Sequence, residues 1–137
     1  MASILVIDDE KNICRTVRMA LEGEDYEVET ASSAEEGLSL VRAGSFEVML
    51  LDVQLGGMSG MDLLERVRKE SGAPEVIMMS GHATMTDAIN AAHLGAFDFL
   101  EKPFNNDRLI LTVRNAVERH RLTQKVMTLE NSDTRYC

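Results

Sequence analysis

Four apolar runs in this chain each stop at polar residues, and helical patterns separate them. Ile4-Leu5-Val6-Ile7 runs into Asp8-Asp9, Val48-Met49-Leu50-Leu51 into Asp52, and Val76-Ile77-Met78-Met79 into Ser80. Phe97-Asp98-Phe99-Leu100 is followed by Glu101-Lys102-Pro103. Runs that are apolar on both faces suit parallel strands covered by helices on both sides. Right-handed crossovers between such strands give a doubly wound α/β sheet. The carboxyl ends then lie along one edge, which brings together Asp8, Asp9, Asp52, Ser80 and Lys102. Three carboxylates, a hydroxyl and an ammonium can hold a divalent metal and put a phosphoryl group on a carboxylate.

The strand–helix alternation repeats five times. Helix 1 is predicted from about Glu10 to Leu21, with Ile13, Val17 and Leu21 on one face. Tyr26–Thr30 alternates as a half-exposed edge strand does. Ser33-Ala34-Glu35-Glu36 has capping-box spacing and opens helix 2, which Gly44 ends with Leu38 and Val41 inward. The third strand is Glu47–Leu51. Helix 3 follows Gly60 and turns Leu63, Leu64 and Val67 inward. The fourth strand is Glu75–Met79. Thr84-Met85-Thr86-Asp87 opens helix 4, which ends at Gly95. The fifth strand is Ala96–Leu100, and helix 5 runs from near Asn105 to about Glu130. The glycines after helices 1 to 4 predict left-handed C-caps. Only the second strand reads as amphipathic, which favours five parallel strands in the order 2-1-3-4-5 with five helices. In that order the switch point lies at the ends of strands 1 and 3, where Asp8, Asp9 and Asp52 fall.

The 137 residues suit one domain that needs no covalent staples. We place it at 1–121, followed by a helix extension and polar tail at 122–137. Helix 5 is longer than the sheet requires. Leu122, Val126 and Leu129 follow 4 and 3 spacing, a short coiled-coil seam. That fits a dimer or linker helix, and equally a solvated extension ending in a frayed tail from Asn131.

Hydrophobic residues at 45% are ordinary for a globular protein. The net charge of −9 argues against nucleic-acid binding by this chain. No apolar run approaches ~18 residues, so no membrane span is expected. Met1-Ala2-Ser3 leads straight into a strand with no signal peptide. Cys14 and Cys137 fit no motif and read as free thiols in a reducing cytoplasm. His82, His93 and His120 lack metal-ligand spacing. His82, two residues after Ser80, is placed to tune water access there. The methionines read as gap fillers.

Two carboxylates ~4 Å apart repel by about 4 kcal/mol at an effective dielectric of 20. A cluster of three calls for a cation or a proton. Oxygen-only ligands at an open edge favour Mg²⁺. Singly, each residue also has an ordinary reading. Asp9 caps helix 1, Asp8 and Asp52 are polar strand ends, Ser80 is a turn serine, and Phe99 is a core aromatic.

The ordered set resembles the receiver domain of bacterial two-component response regulators. The matching motifs are Ile7-Asp8-Asp9-Glu10, Leu51-Asp52-Val53, Met79-Ser80-Gly81 and Gly95-Ala96-Phe97-Asp98-Phe99-Leu100-Glu101-Lys102-Pro103-Phe104. The resemblance covers Ser3 to about Arg121. The stretch from Met78 to Phe104 looks most like receivers heading NtrC-family transcriptional activators. The resemblance implies that Asp52 accepts phosphate from a sensor histidine kinase. It implies Mg²⁺ held by Asp9 and Asp52, with Asp8 assisting through water and the backbone carbonyl of Gln54 completing the set. Ser80 and Lys102 would bind the phosphoryl group. Ser80 and Phe99 would form the switch, relaying through helix 4, strand 5 and helix 5 to a transcriptional output domain. A homodimer would use that face or the helix 5 extension. The only chemistry implied is self-catalysed phosphotransfer and self-dephosphorylation, in the cytoplasm. A cis Lys102–Pro103 bond would aim the lysine. One departure stands out: Leu55-Gly56 occupies the place of the family's Met-Pro. The alternatives are a haloacid-dehalogenase-type phosphohydrolase, which wants Asp-x-Asp after its first strand, a flavodoxin-like binding module, and a receiver-like fold used only for interactions.

Overall fold

The computed structural model describes residues 1–82 and 84–134, with side chains to residue 126. The elements are β1 (Ser3–Ile7), α1 (Lys11–Glu22), β2 (Glu27–Ala31), α2 (Ala34–Ala43), β3 (Val48–Asp52), α3 (Gly60–Arg68), β4 (Glu75–Ser80), α4 (Met85–His93), β5 (Asp98–Glu101) and α5 (Asn106–Thr134). All strand pairings are parallel, in the order β2-β1-β3-β4-β5.

Alternation along the strands divides the core in two. Ile4, Val6, Val48, Leu50, Ile77, Met79 and Leu100 point toward Val17 and Leu21 of α1 and Leu109, Val113 and Ala116 of α5. Leu5, Ile7, Met49, Leu51, Val76 and Met78 point the other way, toward Leu38 of α2, Leu63, Leu64 and Val67 of α3, and Ala91 of α4. This is why the central runs are apolar at every position. Both faces are covered, so no position can be polar without burying an unpaired group.

The helix ends depart from expectation in part. Gly72 and Gly95 take positive φ, 71° and 96°. Gly23 instead stays right-handed at φ −62°, and Gly44 is extended. After α1 the left-handed residue is Asp25, at φ 66°. The turn that brings Tyr26 N–H to the Leu21 carbonyl places the reversal two residues past the glycine. The N-cap of α1 is Glu10 without a side-chain cap, so Asp9 does not cap that helix. Ser33, Ser59 and Thr84 do cap α2, α3 and α4, accepting from Glu36, Asp62 and Asp87 N–H at 3.1, 3.2 and 3.1 Å. Helix α5 runs past Glu130 to Thr134. No glycine or proline stands in that stretch, and polar composition alone does not stop a helix. Leu122 and Val126 are exposed on it, while Leu129 and Cys137 fall outside the described side chains. Among the described residues no helix is long and apolar enough to cross a membrane.

Candidate functional site

The site sits where β1 and β3 end side by side. Asp8 continues the β1 ladder, its N–H donating to the Ala31 carbonyl at 3.1 Å. Its side chain is fully buried. Oδ1 accepts the Glu10 N–H at 2.9 Å, which closes the turn into α1. Asp52 is the last residue of β3 and is also buried. Its Oδ1 accepts the Gln54 N–H at 3.2 Å.

Lys102 joins them. Its N–H donates to the Ser80 carbonyl at 2.7 Å, and the peptide bond to Pro103 is cis, as expected. Its Nζ lies 2.7 Å from Asp8 Oδ2, 3.4 Å from Asp52 Oδ2 and 3.7 Å from Glu10 Oε1. Burial alone would lower the ammonium. It is outweighed by the close Asp8 contact and the charges of Asp8, Asp52 and Glu10, so Lys102 is raised overall. Asp52 moves up to about 6, chiefly because burial disfavours its charge and then because Asp8 repels it. The Gln54 N–H and Lys102 oppose that rise without cancelling it.

The donors fit a hard cation. Carboxylate oxygens of Asp8, Asp9 and Glu10 lie within 4.8 Å of one another. Asp8 Oδ2 is buried and already faces one cation, the Lys102 ammonium at 2.7 Å. A buried, electron-rich oxygen in that condition suits a cation ligand. Asp9 is exposed beside it, and the compact acidic group includes Glu10 rather than Asp52. Nothing in the pattern of the first motif singles out Glu10 as a ligand.

Ser80 ends β4, is buried, and accepts the His82 N–H on Oγ at 3.1 Å. It alternates with Met79 and so shares the strand face of Met78 and Phe99. Phe99 is half-buried against that core, and Leu100 takes the opposite face beside Met79. Gln54 is exposed.

Gly60 carries a requirement that the sequence did not reveal. A Cβ there would overlap the Asp52 carbonyl oxygen and approach Val53 Cα at 2.9 Å. Its own N–H donates to the Val53 carbonyl at 3.1 Å. The first residue of α3 therefore presses against the backbone of Asp52.

The profile of the response regulator receiver domain matches residues 4–114. The chain belongs to that family. The nitrogen assimilation regulatory protein NtrX of Azorhizobium caulinodans is 38% identical over 129 residues, covering 93% of this chain and 28% of its own length. The alginate biosynthesis transcriptional regulatory protein AlgB of Pseudomonas aeruginosa is 37% identical over 128 residues, with the same coverage. The crystal structure of Brucella abortus NtrX with ADP superimposes with a TM-score of 0.87 at 38% identity, over 94% of this chain and 30% of that one. A receiver domain from Clostridium thermocellum gives 0.83 at 38% identity, over 90% of this chain and 99% of its own. The receiver thus spans under a third of the regulators NtrX and AlgB. The NtrC-type resemblance holds, and the phosphohydrolase reading finds no support. The acceptor candidate is the last residue of β3, and β1 is followed by Asp8-Asp9-Glu10 rather than Asp-x-Asp.

Proposed function

We propose that this receiver is a switch phosphorylated on Asp52 by a sensor histidine kinase. The observation that carries the reading is the part-buried ammonium of Lys102, shared between Asp8 and Asp52. Asp52 attacks as the carboxylate, and with its pKa near 6 it is mostly ionised at neutral pH. The oxygen–phosphorus bond forms as the phosphorus–nitrogen bond of the donor breaks, and the imidazole leaves with the electron pair. The protein's share is position and charge. Lys102 then pairs with a phosphoryl oxygen. Ser80 Oγ already accepts from His82 N–H, so its own hydrogen stays available to donate to another.

Asp8, Asp9, Asp52 and the Gln54 carbonyl would hold Mg²⁺, with Glu10 beside them. Bound there, the ion would neutralise charge building on the phosphoryl oxygens. The receiver proper is 1–121, and 122–137 links it to a transcriptional output domain or pairs two copies through the Leu122–Val126 seam or the α4–β5–α5 face. The domain acts in the cytoplasm, catalyses only its own phosphorylation and reset, and does not grip nucleic acid itself.

Intact mass after acetyl phosphate with Mg²⁺ tests the central reading. Wild type should gain one phosphate and Asp52→Ala none; an adduct that persists in the variant overturns it. Two smaller results follow. His82→Ala should change the lifetime of the phosphorylated state while leaving Ser80 held, because the bond to Oγ comes from the backbone; an unaltered lifetime removes His82 from that role. The ring signals of Phe99 should shift on phosphorylation, since Phe99 and Ser80 share one strand face; unchanged signals would exclude it from the switch.

A further inference from the structure

The loop from Val53 to Ser59 borders the candidate cation site, and its sequence leaves it loose. Gly56 and Gly57 stand in it, with no proline to restrict the chain. Gly56 has open space around it, and Gly57 is left-handed at φ 81°. Its two ends are tied by the Gln54 N–H to Asp52 and by the Gly60 N–H to the Val53 carbonyl, and its glycine-rich middle is held from a different element. Glu35, in the first turn of α2, accepts the Met58 N–H on Oε1 at 3.2 Å. The same oxygen lies 3.2 Å from where a Cβ of residue 57 would stand, so the carboxylate sits over the glycine. Glu35 makes no ion pair among the described residues. Its neighbour Glu36 takes a different part: its N–H donates to Ser33 Oγ, and its carboxylate accepts from the Ser32 hydroxyl at 3.4 Å.

We propose that Glu35 is a positioning residue for phosphoryl transfer. Its carboxylate clamps the glycine-rich β3–α3 loop through Met58 and so fixes the segment that presents the Gln54 carbonyl. A charge-assisted bond to a backbone N–H gives here the restriction that a proline in the loop would give. The inference rests on the reading of Asp52 and Mg²⁺ above. Glu35 touches no reacting group, so its loss should weaken cation binding without lowering the rate at saturating cation.

The test is a Mg²⁺ titration of the whole chain followed by amide NMR, with hydrogen exchange at Met58 in metal-free protein. Glu35→Ala should raise the Mg²⁺ Kd by about 5-fold, the equivalent of one hydrogen bond, and strip Met58 of exchange protection. Acetyl phosphate labelling of Asp52 should be slower at low Mg²⁺ and recover at saturation. Glu35→Gln keeps an acceptor oxygen and should stay within about twofold of wild type. Gly57→Ala, strained by its φ and crowding Oε1, should reproduce the Glu35→Ala defect. Equal Kd and equal Met58 exchange in wild type and Glu35→Ala overturn the clamp alone. So does a labelling defect that saturating Mg²⁺ leaves in place. A wild-type domain that binds no Mg²⁺ overturns both the clamp and the reading beneath it.

Discussion

In EDTA at pH 8, Asp52→Asn should unfold about 6 °C above wild type, an expected gain of about 2 kcal/mol for a domain of this size. The sign follows from the Asp52 carboxyl, which rises from 3.8 to about 6 in the fold. Between those two values the folded state binds the extra proton. Wild-type stability therefore falls as pH rises through that window. A rise of about two units sets the cost near 3 kcal/mol above pH 6. Asparagine carries no charge to bury and keeps an oxygen for the Gln54 N–H, and the Lys102 attraction is already counted in that net rise. Solvent screening at the open sheet edge trims the gain to about 2 kcal/mol. At pH 4 wild-type Asp52 is itself largely protonated in the fold, and the two proteins should melt together. An equal gain at both pH values would show that the buried charge is not its source. On the reading proposed above, Mg²⁺ at pH 8 raises the wild-type melting temperature and leaves Asp52→Asn nearly unchanged.

The same burial explains what could be read from the residues and what could not. The core strands were legible because helices cover both faces of β1, β3 and β4, and coverage on both faces leaves a continuous apolar signature. β2 was legible as an edge because Glu27 and Glu29 alternate with Val28. That contrast favours the order that brings Asp8 to Asp52. The ends of helices were less legible. Gly23 and Gly44 look like Gly72 and Gly95 in sequence, yet only the last two adopt positive φ. A glycine permits a left-handed turn, and the following chain decides whether one is used. At the site, strand ends marked Asp8, Asp52, Ser80 and Lys102, because each interrupts an apolar run. Glu10, Glu35 and Gly60 interrupt nothing. Their importance comes from elements that meet only in three dimensions: Glu10 with Lys102, Glu35 with Met58, and Gly60 with Asp52.

Gly60→Ala should be the most damaging single methyl group that can be added near the site. The added Cβ would meet the Asp52 carbonyl, and Val53 Cα would stand 2.9 Å away. Both obstacles are backbone, so no rotamer change relieves them. Either α3 withdraws from the sheet, or the end of β3 shifts. Leu63, Leu64 and Val67 of α3 are fully buried, which resists the first movement. The expected cost is about 3 kcal/mol, at the upper end for overpacking a filled core. The second movement displaces the Asp52 carboxylate relative to Lys102. A misplacement near 1 Å can cost on the order of 100-fold in rate. Gly56→Ala provides the matched control in the loop just before α3, since nothing lies within 4 Å of its added Cβ and its φ is not left-handed. It should stay within about 0.5 kcal/mol of wild type. Denaturant midpoints and acetyl phosphate labelling rates of the two variants decide the matter. Equal stability and equal labelling would show that α3 yields freely, and that its first residue does not position the acceptor.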